Sequence, residues 1–206
     1  MRVLFLLILL LTLQSCATKK YTKTRLLPEG IKSATEETYM VENNQKKLLQ
    51  KKQIIFTRNG RIKYSKTIDS LGNLVQETKK KLWFVVEKYP NKEPYYCKTR
   101  WKPNQRERIS CYTKKQYKEN EAIYHYNSDG TIDKIVDNFT TFHTQYFYYT
   151  NNELTKIITK DKNDKLVDEV VVNCETKDER GTCLKETRIS TKSNHTEEIL
   201  FIPNYD

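Results

Sequence analysis

Glycine and proline are scarce, with five of each in 206 residues. That scarcity excludes a collagen-like chain and a Gly/Pro-rich linker, and it reserves the few glycines for places where the backbone must turn. Histidine is scarcer still: His125, His143 and His195 stand alone, with no ligand spacing toward the cysteines and no CxxC pair. A zinc site is therefore not expected. No nucleophile elbow, P-loop, dinucleotide fingerprint or zinc-protease motif occurs, so no catalytic residue, metal or cofactor is assigned. Each histidine reads as a surface or cross-strand residue rather than a base. Helical periodicity is weak throughout. The best helical stretch, from Glu36 to Lys52, begins with β-formers and reads as two strands, with a short helix or irregular segment near the N-terminus as the alternative.

What the chain does have is tyrosine, 14 residues, and basic charge, 37 Lys and Arg against 26 Asp and Glu, for a net +11. A basic chain can indicate nucleic acid. The lysines are instead spread among acidic residues, as in "KKKLWFVVEKYPNKE", which reads as a solvated β surface whose edges resist association. Attraction to anionic envelope polymers or lipid headgroups is the sharper alternative.

The chain opens "MRVLFLLILLLTLQSC". Arg2 precedes an unbroken apolar run from Val3 to Leu11, long enough for a signal sequence and too short for a spanning helix. Leu13-Gln14-Ser15-Cys16 then resembles the lipobox of bacterial lipoproteins. That resemblance implies cleavage before Cys16 and a diacylglycerol on its sulfur. Two or three acyl chains together anchor durably where one does not. The expected organisation is a signal peptide over 1–15, a lipidated N-terminus and tether over 16–35, and one β-repeat domain over 36–206. Ala17 is not aspartate, and "ATKKYTKTR" lacks an acidic cluster. By the lipoprotein sorting rules these features imply the outer membrane, facing the periplasm. That address sets nucleic acid aside. It leaves as partners the membrane, through the lipid, and another envelope protein or a polysaccharide.

Four cysteines remain beyond Cys16, an even number that suits disulfides in an exported chain. Of three pairings, Cys97–Cys111 and Cys174–Cys183 are preferred, because "CKTRWKPNQRERISC" and "CETKDERGTC" each read as strand, loop, strand.

"YHYNSDGTIDKI" (Tyr124–Ile135) reappears twenty-two residues later as "YFYYTNNELTKI" (Tyr146–Ile157). Gly130 falls on Asn152, the two residue types that best tolerate positive φ. "DSLGNLVQE" (Asp69–Glu77) is echoed by "DKNDKLVDE" (Asp161–Glu169). Turn signals near 59, 71, 91, 104, 129, 151, 163 and 179 are the spacing of an antiparallel meander. The tyrosine-rich unit resembles the YD repeats of RHS proteins, which build long β shells. The resemblance implies an all-β meander of stacked hairpins forming an open, twisted sheet, and carries no function with it.

Two patches are candidate interaction surfaces: Arg100 and Trp101 in "RWKPNQRER", and the aromatic run containing Tyr146, Tyr148 and Tyr149. The expected function is a lipid-anchored, non-enzymatic binding or structural module of the cell envelope. An immunity-type lipoprotein neutralising a periplasm-acting toxin is the alternative, and an envelope hydrolase a third. A deep pocket, a flat aromatic face, or neither would separate them.

Overall fold

The computed structural model describes residues 30–43, 45–57, 61–82, 84–90, 92–102 and 106–205. The leader, Cys16 and most of the expected tether lie outside them. The described chain is a succession of fourteen antiparallel strands: β1 (Ile31–Glu42), β2 (Gln45–Phe56), β3 (Ile62–Asp69), β4 (Leu74–Lys80), β5 (Val85–Tyr89), β6 (Lys92–Lys102), β7 (Arg106–Tyr112), β8 (Lys118–Tyr126), β9 (Ile132–Asp137), β10 (Thr144–Thr150), β11 (Glu153–Lys160), β12 (Leu166–Lys177), β13 (Cys183–Ser190) and β14 (His195–Tyr205). β1 begins inside the segment read as tether, and the Glu36–Lys52 stretch forms parts of β1 and β2.

Each strand pairs with its neighbours in sequence, and β1 also pairs with β14, so the meander is a closed barrel. The expectation of an open sheet is thereby corrected. The reason is physical. Strand twist accumulates across many strands, and closing the ring removes both unpaired edges.

Side-chain alternation divides the wall into two faces. The inner face carries buried Ala34, Thr38, Ile54, Ser65, Cys97 and Phe201, while exposed Ile55, Tyr148, Val171, Ile189 and Ile202 stand on the outer face. One end of the barrel is plugged. Ile31, Ala34, Ile54, Phe56 and Phe201 form a buried cluster there, with Ile62 and Tyr205 packed against it. Polar crossties reinforce this end. Arg61, just before β3, reaches Glu107 on β7 at 3.4 Å, and the Tyr126 hydroxyl donates to the same carboxylate at 2.7 Å. The Arg61–Glu107 contact joins segments that are not neighbours in the sheet. Tyr205 donates to Asp178 at 2.7 Å and lies under the Arg180 guanidinium, 4.2 Å from its ring centre. On the outer wall, Glu198 is bridged by Lys46 and Lys185 at 2.6 and 3.2 Å, tying β14 to β2 across β1 and to β13.

The sequence echoes turn out to be echoes of turns. In Asp69–Asn73 and Asp161–Lys165, the first residue's carboxylate accepts from the backbone N–H groups two and four residues on, at 2.8–2.9 Å. The fourth position has positive φ, Gly72 at 85° and Asp164 at 63°. Asp178–Thr182, with Gly181 at 79°, repeats the device. Gly130 and Asn152 both take positive φ, 93° and 65°. The two tyrosine hairpins nonetheless differ. Through β9, Tyr124 is brought level with Gln145, not with its echo Tyr146. A one-residue slip moves every side chain to the other face. Tyr124 and Tyr126 therefore face the lumen, and Tyr146 and Tyr148 face outward.

Candidate functional site

At the end opposite the plug, the barrel wall from β8 to β14 lines a hollow. One part, about 270 Å³, is bounded by Asn120, Ala122, Ile135, Asp137, Thr140, Thr141, His143, Gln145 and Thr159. A second, about 300 Å³, is bounded by Gln145, Ile157, Thr159, Asp168, Val170, Arg188, Ser190, Ser193, His195 and Glu197. The strand residues among them all belong to the inner face, and Gln145 and Thr159 belong to both parts. The two are thus one continuous lumenal recess at the open mouth.

Register sorts its lining into layers. Gln145, Thr159 and Asp168 sit level near the mouth. One pleat deeper, Ile157 pairs with Phe147 on one side and Val170 on the other, and Val170 pairs with Ser190, which faces His195. A polar rim therefore overlies an apolar stretch on β10–β12, and the β13–β14 side is polar. There Ser190 donates to Asp168 at 2.8 Å, Ser193 to Ser190 at 2.7 Å, and Arg188 to Glu186 at 2.6 Å, while His195 and Glu197 are 3.2 Å apart.

The loop 138–143 forms one side of the rim and is held from both faces. Burial pushes the Asp137 carboxyl up, but hydroxyl and backbone hydrogen bonds from Thr140 and Thr141 outweigh it and hold the group well below the usual carboxylate range. On the other side of the wall, Glu121 accepts from Asn138 Nδ2 and from Ser110, both at 2.7 Å, and from Lys118 at 3.2 Å. Burial alone would raise the Glu121 carboxyl; these bonds lower it to about 2. Deeper on β10, burial pushes the Tyr149 hydroxyl up to about 12, and Asp129 and Asp133 add to this, while the Ile132 amide opposes it.

Among the described residues, Ser193 donates to Ser190 and Ser190 to Asp168, and neither serine side chain is hydrogen-bonded to a histidine. The nucleophile–base contact of a hydrolase is not formed by them. No group of three or more His, Cys, Asp or Glu side chains is placed to hold a metal ion, again among the described residues.

The residues singled out by sequence divide. Cys16 lies outside the described residues. Cys97 is bonded to Cys111 and Cys174 to Cys183, each across a hairpin. "RWKPNQRER" is not one loop: Arg100, Trp101 and Lys102 continue β6, and β7 starts at Arg106. Arg100 is exposed on the outer wall. The aromatic run alternates. Tyr146 and Tyr148 are outside, with Lys134 and Lys160 both within 6 Å of the Tyr146 ring; Tyr149 points inward. Among these, Arg100, Tyr146, Tyr148 and Tyr149 do not bound the recess. His143 and His195, set aside in the sequence as isolated, both do. Their neighbours come from strands far apart in the chain, so no local spacing could have grouped them.

No family model matches the chain, and no curated protein matches it in sequence. Among solved structures, it is similar to a LolA superfamily protein from Nitrosomonas europaea, at 8% identity and TM-score 0.42 over 91% of this chain and 88% of the other. A DUF1329 family protein from Desulfovibrio piger follows at 8% identity and TM-score 0.32, covering 85% and 86%. A porin-like protein from Bacteroides uniformis is similar at 11% identity and TM-score 0.35 over 79% of this chain and 56% of the other. These likenesses are loose, below the level at which shared architecture implies a shared ligand.

Proposed function

We propose that this chain is a non-enzymatic binding module of the cell envelope, anchored through an acylated Cys16, and that its ligand occupies the lumenal recess at the open mouth. The observation that carries the binding reading is the asymmetry of the barrel. One end is filled by an apolar plug and the other keeps a recess of several hundred Å³, a volume in the range of small-molecule sites. An apolar stretch from Ile157 and Val170 beneath a rim of Gln145, Thr159 and Asp168 suits a small amphiphile, its apolar part inside and its polar end at the mouth. The export signal and two disulfides support an oxidising, extracytoplasmic setting.

The test is native mass spectrometry of the chain purified from its own envelope fraction, paired with titration by the apolar fluorophore N-phenylnaphthylamine. A co-purified small molecule and saturable fluorescence are expected, with the fluorescence reduced at least tenfold in Ile157→Asp. An empty spectrum together with equal fluorescence in that variant would remove the reading.

A further inference from the structure

The plugged end carries a second surface, unrelated to the recess. The β4–β5 hairpin ends in Lys79, Lys80, Lys81 and Leu82, all exposed, and Leu82 keeps 83% of its surface open to solvent. The three lysines form no ion pair among the described residues. Beside them on the outer wall, Lys79 is level with Tyr64 and with Val86, and Val86 with Tyr96, whose ring Phe84 meets edge-on at 5.5 Å. Arg100 and Lys98 on β6 extend the same wall, both exposed. Glu77, the carboxylate of this neighbourhood, is engaged by Tyr64 at 3.0 Å and by Lys88 at 3.2 Å. The result is a basic rim with an aliphatic tip and a backing of aromatic rings, the composition that partitions to a membrane–water interface.

Its position identifies the occupant. β1 starts at Ile31 on this same plugged end. Cys16 lies about 15 residues upstream, a reach of about 50 Å at full extension. On the lipid-anchor reading, the acylated tether joins the barrel at this end.

We propose that the β4–β5 hairpin tip, with the adjoining outer wall of β6, is a contact surface for an anionic lipid bilayer, which seats the barrel on its plugged end and turns the open mouth away from the membrane. The orientation and the positional argument for a bilayer rest on the lipid-anchor reading; the basic, aliphatic and aromatic composition of the surface does not. Lysines near an anionic surface act through the local potential and are screened within a Debye length. The tip, not the net charge of the chain, must carry the effect.

The experiment uses residues 17–206, which keep all fourteen strands and lack the acylated cysteine. Sedimentation with vesicles of phosphatidylglycerol and phosphatidylethanolamine should show binding that is absent with phosphatidylcholine alone and lost in high salt. Combined Lys79→Gln, Lys80→Gln and Lys81→Gln should weaken it by about fivefold per lysine, roughly a hundredfold together. Leu82→Ser should weaken it several-fold. The matched set Lys114→Gln, Lys115→Gln and Lys162→Gln, exposed at the mouth end, should leave it unchanged. Unaltered circular dichroism shows that each variant is folded. Equal loss in both lysine sets, equal binding to phosphatidylcholine, or no binding would overturn the proposal. Palmitate labelling of the full chain is read separately. Label without vesicle binding refutes the surface alone, and vesicle binding without label refutes the anchor alone.

Discussion

Glu121 offers the sharpest test of how the recess is built, because one carboxylate ties β8, β7 and the rim loop together. The side chain is 4% exposed. Its carboxyl lies at about 2, against an ordinary value of 4.5. A difference of about 2.5 in pKa corresponds to about 3 kcal/mol. Lys118 is partly solvated and its share is screened, so we expect about 2–3 kcal/mol. The folded-state pKa is depressed. This stability is therefore fully present above the unfolded value near 4.5 and disappears as the pH falls toward 2. Asp137 and other carboxylates titrate in the same window, so the informative quantity is the difference between wild type and Glu121→Gln. Urea unfolding should show the variant less stable by about 2–3 kcal/mol at pH 6 and equal to wild type near pH 2. The variant should also show faster amide exchange at Asn138, whose N–H donates to the Glu121 carbonyl at 2.9 Å. Two parallel stability curves, offset by the same amount at every pH, would refute the reasoning.

Other outcomes follow from the same structure. Phe201→Ala in the plug, where Phe201 is 2% exposed, should cost about 3–5 kcal/mol by urea unfolding. Replacing Cys97 and Cys111 by alanine should cost about 3 kcal/mol in the loop-closure account by urea unfolding without reductant, and reductant, which opens both disulfides, should shrink the gap between variant and wild type. Gly72→Ala should destabilise by about 1–2 kcal/mol because φ is 85° there with open space around it. Gln116→Gly, at a φ of 66°, should stabilise by up to about 1 kcal/mol, read from thermal midpoints.

Local features were the legible ones. Asp69, Gly72, Gly130, Asp161 and Gly181 announce turns because side-chain capping and positive φ are decided within five residues. The cysteine pairs were legible for the same reason, each flanking one hairpin. Closure was not, since β1–β14 pairing depends on the sum of fourteen small twists and no single stretch encodes it. The tyrosine echo does not carry over to exposure: the connections Asn127–Thr131 and 138–143 set the register between Tyr124 and Tyr146, and that register puts the two on opposite faces. The recess was illegible because its polar residues, from Asn120 to Glu197, are assembled by six intervening hairpins, while each alone looks like an ordinary strand or loop residue.

The seam between β1 and β14 also sets an order of events. Asn204 meets Ser33 across 171 residues of chain, whereas every other strand pair is closed by a short turn. The hairpins can form as the chain appears, but the first strand has no outer partner until the last one arrives. The entropy of joining distant ends must be met before that pairing contributes anything. The plug shares this dependence, because Ile31, Ile54 and Phe201 come from both ends of the sequence. A chain emerging N-terminus first through an export channel would thus remain an unsealed ribbon until the eleven residues of β14 were released.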